Sequence, residues 1–184
     1  MNKILYETEY LQLKSTAKKD GGDWVYAHRP NVSDVVVVLP VCNDEILFLI
    51  EERPPLTAEG KGKYSIGLPA GLVGDERKGE TVEDAIKAEL LEEAGLAADK
   101  IEIKVNKAAS SSGCISETCA IAVAYIKNKK IICPPIDDGG IILDRTWIKK
   151  ENVLEWLNEK NKEGYVISSH TLGALFYLFA EGKR

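Results

Sequence analysis

The chain has 184 residues, 45% hydrophobic and 29% charged, with a formal net charge of −5. That length and apolar content can bury one full core, so the simplest reading is one domain with an appendage. An acidic balance without a Lys/Arg-rich stripe argues against duplex nucleic acid as a partner, and no apolar run is long enough to span a membrane.

The N-terminus, MNKILYETEY, alternates with charge and lacks the continuous apolar core of a signal peptide. Residues 3–17 alternate as one strand would, and DWVYAHR at 23–29 predicts a second strand after a turn at 18–22. The pair reads as an antiparallel ribbon within residues 1–32, ahead of a main domain over 33–184. DVVVVLPV at 34–41 is nearly continuous in apolar residues, the pattern of a strand buried on both faces. Asn43-Asp44 marks a tight turn, and EILFLIEER at 45–53 returns as a strand. Arg53-Pro54-Pro55 follows. The arginine fork suits a phosphate, or pairs at the surface with Glu51 or Glu52. A Gly/Lys-rich loop is expected over 57–63, leading to Leu68-Pro69-Ala70-Gly71.

Gly71 to Leu96 reads as a glycine-rich loop running into an acidic helix. Thr81 is the predicted N-cap, with Asp84 completing a capping-box pattern. The helix spans 82–94, and Gly95 stops it. At 100° per residue, Val82, Ala85, Ile86 and Leu90 form the apolar stripe. Glu89 and Glu93 lie one turn apart on or beside that stripe, with Glu92 on its flank. Carboxylates near a buried face must be neutralised, and a hard divalent cation with oxygen ligands does this. A solvated acidic helix is the plainer alternative.

Beyond the helix, a strand is expected at 101–107, then the polar run Ser110-Ser111-Ser112-Gly113-Cys114-Ile115-Ser116-Glu117. A buried strand at 118–127, a Lys-rich turn at 127–130 and a loop at 134–140 containing Asp137-Asp138 come next. A short strand at 145–148, a helix at 151–162 and a last helix from Ser168 or Ser169 to about 180 complete the chain. That last helix is apolar almost all round, so it is expected to pack fully against the sheet. Cys42, Cys114, Cys119 and Cys133 show no paired spacing and read as reduced thiols of a cytosolic protein. His28 and His170 read as structural histidines.

The glycine-rich loop and helix resemble the Nudix box, G-x5-E-x7-R-E-U-x-E-E-x-G-U with U apolar. Gly74, Glu80, Glu89, Leu90, Glu92, Glu93, Gly95 and Leu96 fall on it, and Ala88 stands in place of the arginine. Within that superfamily, the LPAG turn, Arg53-Pro54-Pro55 and the serine-rich run resemble ADP-ribose pyrophosphatases. Gly67 stands where members often carry Glu, Val25 where some carry a carboxylate, and Ser112 where they carry Pro. The resemblance implies an α/β fold, an α/β/α sandwich with a mixed sheet, plus an N-terminal ribbon that builds a homodimer. It implies Mg²⁺, with Mn²⁺ as a substitute, on Glu89, Glu92, Glu93 and the Ala70 carbonyl. It places Trp24, Arg29, Arg53, Gly71, Ser112 and Gly113 around a nucleotide-sugar substrate, with Trp24 and Arg29 helping to form the partner's site. Trp24 alternatively serves core or interface packing. The catalytic residues are then Glu93, Glu92 and Glu117, with Glu117 or a box glutamate as the base, while Glu80 braces the loop. The implied reaction is hydrolysis of a nucleoside diphosphate sugar, foremost ADP-ribose to AMP and ribose 5-phosphate. Another nucleotide sugar, a dinucleotide, or a non-catalytic nucleotide sensor are the alternatives.

Overall fold

A computed structural model describes residues 2–74, 79–135 and 141–181. The N-terminal segment forms three strands rather than two: β1 (Lys3–Glu7), β2 (Gln12–Ala17) and β3 (Asp23–His28), paired antiparallel in that order. The expected single strand over 3–17 breaks because Thr8 closes a turn. Its hydroxyl accepts the N–H groups of Tyr10 (3.2 Å) and Leu11 (3.0 Å), and its own N–H donates to the Leu11 carbonyl at 2.9 Å. A threonine turn needs neither Gly nor Pro, so alternation alone reads straight through it.

The main body follows as β4 (Asp34–Cys42), β5 (Glu45–Glu52), α1 (Pro54–Ala58), β6 (Tyr64–Gly67), β7 (Ala70–Val73), α2 (Val82–Ala94), β8 (Lys100–Ala109), β9 (Thr118–Tyr125), β10 (Ile142–Lys149), α3 (Val153–Lys162), β11 (Val166–Ile167) and α4 (Ser169–Glu181). Eight strands make one mixed sheet along β11-β6-β5-β4-β9-β8, with β10 on β5 and β7 on β4. β4 is its hub. It runs parallel to β9 over Val35–Val41, antiparallel to β7 over Asp34–Val37, and joins β5 through the Asn43-Asp44 hairpin.

The unbroken apolar run of β4 serves two cores at once. Val36 and Val38 pack on one face with Ile86 and Leu90 of α2, whereas Val37, Leu39 and Val41 pack on the other with Val153, Leu157, Ala174 and Leu175 of α3 and α4. Each such fully buried aliphatic side chain contributes about 1.5–3 kcal/mol. The result is the α/β/α sandwich with a mixed sheet that the resemblance implies.

Three details differ from the sequence expectation. α1 begins on the two prolines, which suit a first helical turn, where a loop was expected. β10 extends well beyond 145–148, and the short β11 adds parallel to β6. α4 does not bury all its sides: Leu172 is 50% exposed and Phe176 65%, an i,i+4 row facing away from Ala174 and Leu175. The loop carrying Asp137 and Asp138 lies outside the described residues. Among the described residues no helix is long and apolar enough to cross a membrane.

α2 has the ends its sequence specifies. The Thr81 hydroxyl accepts the Asp84 N–H at 3.2 Å, and the Asp84 carboxylate accepts the Thr81 N–H at 3.3 Å. Gly95 closes the helix in the left-handed region at φ 69°, its N–H reaching back to Leu91. Thr81→Ala should therefore lower the unfolding free energy by about 1 kcal/mol. Urea denaturation measures it, and a change below about 0.3 kcal/mol would show that the box contributes nothing to stability.

Candidate active site

Ala85, Ile86, Leu90 and Ala94 of α2 are buried against the sheet, which carries Glu89, Glu92 and Glu93 into half-buried positions at its edge. Glu93 and Glu89 then meet the start of β7. The Glu93 carboxylate accepts the Ala70 N–H at 3.0 Å. Glu89 lies so close to Gly71 that a Cβ added there would stand 1.7 Å from its Oε1, so a side chain at position 71 would displace the Glu89 carboxylate. Farther along the chain, the Glu80 carboxylate accepts the Gly74 N–H at 3.0 Å.

Beside this contact opens a cleft of about 820 Å³ with Ala70 and Gly71 in its wall. Arg29, Arg53, Glu51, Glu93, Glu117 and His170 line it as well. Arg53 forms an ion pair with Glu51, which is only 2% exposed. Arg29 pairs with Glu117 at 2.7 Å, and the Ser110 hydroxyl donates to the other Glu117 oxygen at 3.3 Å. Burial raises the pKa of Glu51, with the nearby Arg53 opposing the shift. Burial also pushes Glu93 up to about 7. The Ala70 N–H, Arg53 and Arg145 pull against this, and the Glu51 charge adds to it.

The serine-rich loop is held by the chain's own N-terminal sheet. The Ala27 N–H donates to the Cys114 carbonyl at 2.8 Å, the Ser116 N–H donates to the Ala27 carbonyl at 3.1 Å, and the Trp24 indole N–H donates to the Gly113 carbonyl at 2.8 Å. Trp24, Tyr26, Ser112 and Ser116 line a separate hollow of about 400 Å³ on this loop. The structure thus gathers Arg29, Arg53, Ala70, Gly71, Glu93 and Glu117 in one cleft. Trp24, Ser112 and Gly113 stand at the neighbouring hollow, and of the expected metal ligands neither Glu89 nor Glu92 lines the cleft. Trp24 and Arg29, to which the resemblance gives a part in a partner's site, contact Gly113 and Glu117 of their own chain.

Glu89, Glu93 and Glu51 offer oxygen donors, the type a hard divalent cation takes. Among the described residues no three acidic, histidine or cysteine side chains stand close enough to enclose an ion.

No protein-family model matches the chain, and no curated protein matches it in sequence. In three dimensions it is similar to a crystal structure of an ADP compounds hydrolase, with a TM-score of 0.69 over 100% of this chain and 92% of that one. The two sequences are 18% identical, so what they share is the fold.

Three site residues escaped the sequence reading. Glu51 had a signal: alternation in β5 puts it on one face with Leu47 and Leu49, where an acid is out of place. Its carboxylate occupies the space beside Gly67, where the family resemblance leads one to expect a glutamate. Arg145 donates from β10 to the Glu93 carbonyl at the C-terminal end of α2, a favourable place for a cation. Ala88 stands where the resembled motif has an arginine, and the Arg145 guanidinium meets the Glu93 carbonyl from β10. His170 lines the cleft with its Nε2 buried and without a hydrogen bond; nothing in its sequence neighbourhood announced it.

The raised Glu93 acid makes stability depend on pH. Its ordinary value is 4.5 and its native value about 7. Between them the native state holds a proton that the unfolded state has released, so stability falls as pH rises through this window and stays lower above it. The loss is about 1.4 kcal/mol per pH unit at most. In EDTA, thermal melts from about pH 5 to about pH 7.5 should show a smaller decline for Glu93→Gln than for wild type. Equal declines would assign the titration to another group.

Proposed function

We propose that the chain is a Mg²⁺-dependent hydrolase of nucleoside diphosphates joined to a second group, with Mn²⁺ as a substitute cation and ADP-ribose as the preferred substrate. The products are AMP and ribose 5-phosphate. The observation that carries this reading is the single cleft in which two arginines and three carboxylates meet over the Ala70-Gly71 backbone. The fold shared with an ADP compounds hydrolase adds support.

A pyrophosphate resists attack because its own charge repels the nucleophile. Arg53 and Arg29 suit its oxygens through the planar fork of the guanidinium. Both already lean on carboxylates, so the phosphate takes over partners the cleft has aligned. Glu89 and Glu93, with the Ala70 carbonyl, are the residues to hold the cation. Bound there, a divalent cation draws off phosphate charge and lowers the pKa of water. Water attacks one phosphorus, the bridging P–O bond breaks, and the water proton passes to Glu117 or a box glutamate. Glu117 sits on a loop that Arg29 and Ser110 hold at the cleft. The Trp24 hollow offers an aromatic face for the base. Four unpaired cysteines suit a reducing, cytosolic compartment.

A panel of ADP-ribose, NADH, GDP-mannose, diadenosine compounds and a nucleoside triphosphate, assayed for AMP or phosphate release, tests this reading. ADP-ribose should give the highest kcat/KM, EDTA should abolish turnover, and Glu93→Gln should lower kcat on the order of 100-fold, as loss of a metal ligand does. A triphosphate preference would remove the ADP-ribose assignment. Turnover unaffected by EDTA would remove the metal. Substrate binding without turnover of any compound would turn the reading to a nucleotide sensor.

We also propose a homodimer built through the N-terminal sheet. β1 is exposed along its whole length, and Ile4, Leu5, Tyr6 and Tyr10 present apolar surface to solvent. A small sheet of this kind needs something to pack against. Light scattering at micromolar concentration should give twice the chain mass, and a monomeric mass with full activity would refute the dimer.

A further inference from the structure

Glu93 is held at both of its ends. Its carboxylate accepts the Ala70 N–H of β7 at 3.0 Å, and its main-chain carbonyl accepts the Nε–H of Arg145 from β10. That carbonyl is one of the last in α2. The closing N–H groups of Gly95 and Leu96 return to Leu91 and Leu90 instead, and a helix end leaves such carbonyls without a helical partner. Arg145 supplies the partner from the sheet.

β10 is bent where this contact is made. Ile142 stands opposite Glu51 and Asp144 opposite Ile50, so Leu143 is one residue more than β5 can pair. In regular pairing Arg145 would stand opposite Phe48, which belongs to the core under α3 and α4. The extra residue moves it opposite Leu49. Residues opposite each other in a ladder share a face, and the next pair on that face, Trp147 with Leu47, packs into the core under α2. Bulges re-aim side chains in this way. The adjacent acid does not draw the guanidinium off. The Asp144 carboxylate accepts the Arg145 main-chain N–H at 2.8 Å and the Thr146 hydroxyl at 2.7 Å. Among the described residues Arg145 forms no ion pair, whereas Arg29 and Arg53 do.

We propose that Arg145 is a positioning residue for Glu93. The bulge at Leu143 aims it at the end of α2, where it fixes the last turn so that the Glu93 carboxylate stays on the Ala70 N–H in the cleft wall. For its effect on turnover this rests on the hydrolase reading above. The two bonds come from strands that join neighbouring central strands, β7 on β4 and β10 on β5. The helix end is thereby fixed against both. With its carbonyl released, the last turn frays, and the carboxylate it carries moves with it. Arg145 itself does not line the cleft, so it acts through Glu93.

Amide exchange followed by NMR on the full chain, together with steady-state kinetics, tests this. In Arg145→Met the Ala70 amide should lose protection while the amides of β4 and β9 keep theirs. With ADP-ribose, kcat should fall on the order of 10-fold, the lower end of losses for groups that orient a ligand, with KM little changed. Arg145→Lys keeps a donor and a charge and should recover most of both. In a Glu93→Gln background, Arg145→Met should cost no further kcat. Unchanged protection at Ala70 overturns the inference. Protection lost across β4 and β9 as well, or an equal kcat loss in the Glu93→Gln background, also overturns it and makes Arg145 a general support of the fold. A wild type that turns over no compound removes the hydrolase reading, and the Ala70 amide then decides whether Arg145 holds Glu93 in place.

Discussion

The contact of α2 with the start of β7 is the constraint from which the cleft follows. Ala70 gives its N–H to Glu93, and Gly71 has no side chain where Glu89 lies. The Glu93 carboxylate is thereby fixed against backbone, and the Glu89 carboxylate lies in the space that the missing side chain leaves. A hydrogen bond to an ionised group contributes about 1.5–3 kcal/mol, against a desolvation cost that appears in the raised pKa of Glu93. The site stays tense because the hydrogen bond and two arginines do not cancel that cost. The tension is concentrated at one edge of the sheet, while the two apolar cores carry the stability.

The cleft is also economical in charge. Each arginine in its wall already touches a carboxylate: Arg53 with Glu51, Arg29 with Glu117. A cleft with free arginines would attract any polyanion. Under the proposed reading, a ligand that brings both negative oxygens and a cation would suit paired arginines, because the displaced carboxylates would then find a new partner.

Much of this was legible from residue order. The capping box at Thr81 and Asp84, the stop at Gly95 and the buried stripe of α2 follow from local rules, and tertiary packing agrees with them. β4 was legible for the same reason, since a strand buried on both faces leaves no alternation to misread. The turn at Thr8 was not, because a hydroxyl closing a turn leaves alternation intact. The exposed row of Leu172 and Phe176 was not, because composition says that a helix is apolar without saying which side the sheet covers. Glu51 was half legible: its place in the β5 alternation marks it, but its relation to Gly67 exists only across strands. Arg145 and Glu93 are fifty-two residues apart in sequence, and no local pattern links them.

The docking of β3 on the serine-rich loop has one more consequence. Three bonds, from Ala27, Ser116 and Trp24, tie the loop that bears Glu117 to a sheet lying outside the main sandwich. The loop is thus held from two sides, by Ser110 at the end of β8 within the sandwich and by the N-terminal sheet outside it. Insertions or deletions between β3 and β4 would act on chemistry before they acted on folding. The short segment from Arg29 to Ser33 is the link through which a change in residue number would reach β3, and with it the bonds to the serine-rich loop.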